Sequence, residues 1–108
     1  MDEYTIFCTA EQTRKAFGLG ASIEFIKIGE GKPLHYICSR ENKGYYKIPT
    51  AEQMIGFLRS KGMKFYFNDL TTFWQVVYDI NITGQGCSDN KELKAIDVAL
   101  EYLENLKQ

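Results

Sequence analysis

The same four residues open two helices in this chain, and that repeated text constrains the fold more than any other feature. Thr9-Ala10-Glu11-Gln12 and Thr50-Ala51-Glu52-Gln53 both spell a capping box. In each, the Thr hydroxyl accepts from the backbone N–H three residues on, and the Gln side chain reaches back to the Thr N–H. A Glu in the first turn complements the positive end of the helix dipole. The first helix is expected over about Ala10 to Phe17, stopped by Gly18 and Gly20, and the second over about Ala51 to Ser60, with Gly62 beyond its end. Pro49 holds the residue before it extended, which separates strand from helix. Met54, Ile55 and Leu58 fall on one face of the second helix.

Each helix leads through glycine into strand-like text. Ser22 to Ile28 alternates Ile23, Phe25 and Lys27 against Glu24, Ile26 and Ile28, and Met63, Phe65 and Phe67 alternate with Lys64, Tyr66 and Asn68. The two units read as a weak repeat of about forty residues, best explained by a shared capping solution. Leu34 to Cys38 and Tyr45 to Ile48 read as short strands around a turn at Glu41-Asn42-Lys43-Gly44. Asn68-Asp69-Leu70-Thr71 is a hairpin turn into Thr72 to Ile80, with a short further strand near Asn81 to Gly84. Ser88 or Asp89 caps a last helix over about 90 to 106, with Leu93, Ile96, Leu100 and Leu103 at helical spacing and Glu92, Lys94, Asp97, Glu101 and Glu104 outward. The expectation is one α+β domain over residues 1–108, with three helices on a single antiparallel sheet of about five strands.

Three stretches in order carry a resemblance. They are Cys8-Thr9-Ala10-Glu11-Gln12-Thr13 with Leu19-Gly20-Ala21, then Ile48-Pro49-Thr50 through Leu58, then Ala95-Ile96-Asp97-Val98-Ala99-Leu100-Glu101-Tyr102-Leu103. Together they resemble a family of small uncharacterised proteins of gut anaerobic bacteria and their phages, with Phe57 where that pattern has Trp. The resemblance implies a bacterial or phage origin and no particular chemistry. From Pro49 onward the order helix, strand, strand, short strand, helix is similar to a double-stranded-RNA-binding domain. That second resemblance implies phosphate contacts from Lys91 and Lys94 at the start of the last helix. Asp89, Asn90 and Glu92 thin the basic pattern there.

Charge argues against a nucleic-acid partner, since thirteen basic and fourteen acidic side chains leave a formal net charge of −1. No basic segment followed by an apolar run opens the chain, and no apolar stretch approaches the about 18 residues that span a bilayer, so no membrane association is expected. Three cysteines at unpaired spacing point to a reducing, cytoplasmic setting. His35-x-x-Cys38 is the closest pair of soft ligands, but residues three apart on a strand face opposite ways, so neither metal nor cofactor is expected. The same His35 with Cys8, Cys38 or Cys87 lacks the electropositive setting and orienting group of a nucleophile pair. Asp69, Asp89, Glu11 and Glu52 are explained by turns and caps, and Gly18-x-Gly20 and Gly29-x-Gly31 lack the third glycine of a phosphate loop. The sequence therefore reads as non-enzymatic.

Aromatic residues, 14% of the chain, are the surplus. Most fall on strands, and Tyr36, Tyr46, Tyr66 and Trp74 form the candidate interaction patch, because Tyr and Trp bury much area at little entropic cost. The expected partner is another protein or a second copy of this chain.

Overall fold

A computed structural model describes residues 5–68, 70, 73–78, 81–86 and 91–106. Both capping boxes form as read. In α1 (Ala10–Gly18) the Thr9 hydroxyl accepts from the Gln12 N–H and the Gln12 carbonyl oxygen accepts from the Thr9 N–H. Thr50 and Gln53 repeat both bonds at the start of α2 (Ala51–Ser60). After α1 the chain turns through Gly20 at φ 95°, and after α2 through Gly62 at φ 94°. Both values lie in the left-handed region that glycine enters without steric cost.

The strands are β1 (Phe25–Lys27), β2 (Tyr36–Cys38), β3 (Gly44–Lys47), β4 (Met63–Asn68), β5 (Phe73–Tyr78) and β6 (Asn81–Gly86). The last helix is α3 (Lys91–Leu106). They build an α+β fold, but the single sheet of about five strands is not what forms. Two antiparallel sheets form instead, ordered β1-β3-β2 and β4-β5-β6. Alternation fixes which side chains share a face, not which strand edges meet. Two features accompany the division. The Arg59 side chain of α2 donates to the Phe65 carbonyl of β4 at 3.3 Å, covering part of that strand's free edge. β1 and β2 also hold only three residues each, fewer than the stretches 22–28 and 34–38 read as strands, while β3 holds four, one residue earlier than the stretch 45–48. β6 is in turn longer than the short strand expected near 81–84, and its pairing with β5 shifts register between Val76 and Val77.

The hydrophobic core lies between the second sheet and α2 and α3. Met54, Leu58, Met63, Val76, Ile96 and Leu100 are its largest fully buried apolar side chains. Met54, Ile55 and Leu58 of α2 and Ile96, Leu100 and Leu103 of α3 are buried as their spacing predicts, with Leu93 half-buried. α1 joins through Ala16, fully buried, and through polar contacts the sequence did not reveal. The Gln12 amide donates to the Leu93 carbonyl at 2.9 Å and to the Asp97 carboxylate at 2.7 Å, and Lys15 lies 3.8 Å from Glu104. Two acids assigned to the solvent face of α3 thus hold α1. The caps expected at Ser88 and Asp89 lie outside the described residues.

None of the described residues of β1, β2 and β3 belongs to the buried core cluster. The segment before α1 is joined instead to the residues that open α2. Phe7 bridges Thr50, the Cys8 N–H donates to the Pro49 carbonyl at 3.0 Å, and the Ala51 N–H donates to the Ile6 carbonyl at 2.8 Å.

Candidate functional site

Register divides the first sheet into two faces. Phe25 pairs with Tyr46, and Tyr46 with Ile37, so these three side chains share the face toward α1. Tyr36, Cys38, Tyr45 and Ile26 share the other. Gly44 makes the first face possible, because a Cβ there would collide with the Ile26 carbonyl oxygen and the Phe25 ring. β1 can therefore lie close against β3 only at a glycine.

Helical periodicity divides α1 in the same way. Gln12, Lys15 and Ala16 meet α3, whereas Arg14, Phe17 and Gly18, three and four apart, meet the sheet. The Phe17 ring stands edge-on to Tyr46 with centroids 4.7 Å apart, and Phe25 is tilted against the other side of Tyr46 at 4.9 Å. These rings and Ile37 floor a cleft of about 640 Å³ whose rim carries Arg14, Arg40, Glu41 and Lys43. The floor is apolar yet open: Phe17 and Phe25 each keep 38% of their surface exposed.

The β2–β3 turn that carries Arg40 and Lys43 is tightly fixed. Ser39 is buried, and its hydroxyl accepts from the Lys43 N–H at 2.9 Å and the Gly44 N–H at 3.2 Å. The Asn42 N–H donates to the Ser39 carbonyl, and Asn42 itself sits at φ 56°, a conformation Asn tolerates well. Electrostatically the rim is cationic. Lys43 pairs with Glu41 at 3.0 Å, but both side chains are largely exposed, so solvent screens the pair. Arg14 and Arg40 are exposed and have no acidic partner within 4.0 Å among the described residues.

The residues picked from sequence do not gather at one place. Tyr46 is the centre of the cleft floor. Tyr36 lies on the opposite face of the same sheet, edge-on to Tyr45 at 5.0 Å and beneath the Lys32 ammonium at 4.7 Å. Tyr66 is exposed on the outer face of the second sheet. Trp74 is half-buried on that sheet's inner face, 5.3 Å from Phe67 and 6.5 Å from Phe65. Lys94 is exposed on α3, and the Lys91 side chain lies outside the described residues. The cleft residues Arg14, Phe17, Phe25, Arg40 and Lys43 were missed. A local signal for two of them was present in Arg14 and Phe17, which fall one turn apart on the same side of a capped helix.

Of the residues weighed for catalysis, Cys8 and His35 make packing contacts. Cys8 is buried, its Sγ 3.7 Å from the Thr50 carbonyl oxygen, and burial, with Asp97 nearby, pushes its thiol up to about 12. A neutral buried thiol is a poor nucleophile. His35 stacks on Phe7 with centroids 3.8 Å apart. Cys38 is exposed, and Cys87 lies outside the described residues. Glu92 is half-buried near Glu52, and burial first, then that neighbouring charge, raises its carboxyl above the ordinary value. Among the described residues no group of three His, Cys, Asp or Glu side chains could hold a metal ion, and no helix is long and apolar enough to cross a membrane. The chain matches no protein-family model, and no curated protein or solved structure is significantly similar to it.

Proposed function

We propose that this is a small, cytoplasmic, non-enzymatic binding protein that works through contact with another protein or a second copy of itself, and that the cleft between α1 and the first sheet is its contact site. One observation carries the reading. Phe17, Phe25 and Tyr46 form an aromatic cluster outside the core, and two of its rings are left partly open to solvent on a rigid frame. Aromatic residues held in place at a surface are the usual anchors of protein contacts. The two free thiols Cys8 and Cys38 suit a reducing compartment. The inert setting of Cys8 and the helix-capping positions of Glu11 and Glu52 support a non-enzymatic role.

The test compares wild type with Phe17→Ser in affinity capture from cells and in sedimentation velocity. Phe17 lies outside the core, so the variant keeps its circular dichroism spectrum. The reading expects a partner, or a dimer, that wild type retains and the variant loses. Monomeric behaviour with no captured protein, or capture that Phe17→Ser leaves unchanged, overturns it.

A second reading, a degenerate double-stranded-RNA-binding module, is favoured by the order α2-β4-β5-β6-α3, with both helices packed against one antiparallel sheet. Gel shifts with duplex RNA at low salt decide it. The module would bind, and Lys94→Glu would weaken that binding; no shift ends the reading.

A further inference from the structure

We infer that the cleft bounded by Arg14 and Phe17 of α1, Phe25 and Tyr46 of the first sheet, and Arg40 and Lys43 of the β2–β3 turn receives an acidic segment of a partner protein that inserts one aromatic or large aliphatic side chain. This deepens the contact reading above and rests on it.

The cleft suits an apolar side chain in size and shape. A volume of about 640 Å³ falls within the roughly 300–1,000 Å³ of sites that enclose an organic group. Its floor is made of rings set edge-on and tilted to one another, so a further ring can add to the cluster in either of the favoured geometries. An aliphatic side chain would gain the same apolar burial without the ring contacts.

Its rim suits an anion in charge. Three cations and one carboxylate stand on the rim, in a chain whose overall charge is −1. The positive field is thus local to the cleft rather than a property of the whole surface. Arg14 approaches from the helix, and Arg40 and Lys43 from the turn, so carboxylates on either side of an inserted side chain would each meet a cation. A guanidinium offers a planar fork that matches a carboxylate in two parallel hydrogen bonds. The Ser39 hydroxyl already fixes the backbone of the turn that carries Arg40 and Lys43, so binding need order only their side chains there.

An acidic protein segment fits better than a nucleic acid strand. A strand needs a cationic track along which successive phosphates are matched. Here three cations surround a single cleft and Glu41 interrupts the rim, so no such track is present among its lining residues.

The experiment is a titration of the full-length ¹⁵N-labelled protein, followed by amide chemical shifts. The probes are four: capped Glu-Glu-Phe-Glu-Glu, its Glu-Glu-Ala-Glu-Glu and Lys-Lys-Phe-Lys-Lys analogues, and single-stranded oligouridylate. The inference expects the first probe to move the amides of Phe17, Phe25, Ile37, Arg40 and Tyr46, and the alanine analogue to bind about tenfold more weakly. The lysine analogue should leave those amides in place. The double variant Arg14→Glu with Arg40→Glu keeps its fold, since neither side chain has an acidic partner among the described residues, and should lose at least about tenfold in affinity for the first probe. Absence of cleft shifts with the first probe, equal binding of the lysine analogue, or tighter binding of oligouridylate overturns the inference. Its failure can be told from that of the contact reading. A captured partner lost on Phe17→Ser but retained by the double charge variant refutes the acidic segment alone, whereas monomeric behaviour with no captured partner refutes both.

Discussion

Replacing Gln12 with Ala should cost far more stability than replacing Gln53 with Ala, although the two glutamines occupy the same place in the same four-residue text. Each closes its capping box by accepting from the N–H of its Thr at 3.0 Å. For Gln53 that is the only hydrogen bond its side chain makes among the described residues, and it lies in solvent. Its loss should cost under about 1 kcal/mol. Gln12 is 2% exposed and also donates to a backbone carbonyl and to a carboxylate of α3. A neutral hydrogen bond contributes about 1 kcal/mol and one to a charged group about 1.5–3 kcal/mol, so with the lost cap the total reaches about 3–5 kcal/mol. Against the about 5–15 kcal/mol that holds a domain of this kind together, that is a large fraction. Urea denaturation followed by far-ultraviolet circular dichroism measures both variants. With a slope of about 1–3 kcal/mol per molar, the Gln12→Ala midpoint should fall by about 2 M, and the Gln53→Ala midpoint by well under about 1 M. Equal shifts would refute the reasoning, because they would mean that the contacts between α1 and α3 add nothing to a simple helix cap.

Three further outcomes follow from the geometry. Gly44→Ala forces a Cβ into the Ile26 carbonyl and the Phe25 ring, so it should lower stability by about 1–3 kcal/mol and speed amide exchange at Phe25 to Lys27, with β4 and β5 unaffected; uniform exchange across both sheets would contradict it. In the native protein at mildly alkaline pH, Cys38 should react with a thiol reagent and Cys8 should not until the chain unfolds, since the Cys8 thiol is buried and raised to about 12. Mass-mapped alkylation reads this, and labelling of native Cys8 at the rate of Cys38 would count against it. Because burial and Glu52 raise Glu92 above its ordinary value of 4.5, the folded chain holds that proton more tightly than the unfolded chain. Stability from this group is complete below the ordinary value and is lost as pH rises through the folded value. The urea-midpoint difference between wild type and Glu92→Gln should therefore move in the variant's favour between about pH 4 and pH 7; the opposite slope would show that Glu92 is stabilised as an anion.

Local text specified local structure well here. Both Thr-Gln boxes form, Gly20 and Gly62 take the left-handed turns, and the apolar spacing of α2 and α3 marks the buried faces. The Glu41-to-Gly44 turn falls where Asn and Gly put it. What escaped is information carried between distant elements. Alternation along a strand does not say which strand edges will pair, so the division into two sheets could not be anticipated. Gln12 reads as a cap and is also a buried bridge to Leu93 and Asp97, more than eighty residues away.

The candidate site was legible only at its centre, for the same reason. Tyr46 stood out as an aromatic on a short strand, but whether it faced a helix or solvent depended on where α1 lay. The cleft arises because α1 spends one face on α3 and has a second left for the sheet. Arg40 and Lys43 read as ordinary turn residues until the Ser39 hydroxyl is seen holding them toward Phe17 and Tyr46. The grouping of Tyr36, Tyr46, Tyr66 and Trp74 rested on composition, and strand register distributes them over four different faces of two sheets.

The central claim is that the contact site is the cleft and not the other exposed aromatics. Site-specific photocrosslinking in cells tests it most directly, with benzoylphenylalanine introduced in place of Phe17 in one strain and in place of Tyr66 in another. Both side chains are exposed, 38% and 52%, so both positions report on their neighbours without disturbing the core. A protein adduct from position 17, and none from position 66, is the predicted result. An adduct from position 66 with none from position 17 would contradict the account and move the contact surface to the outer face of the second sheet.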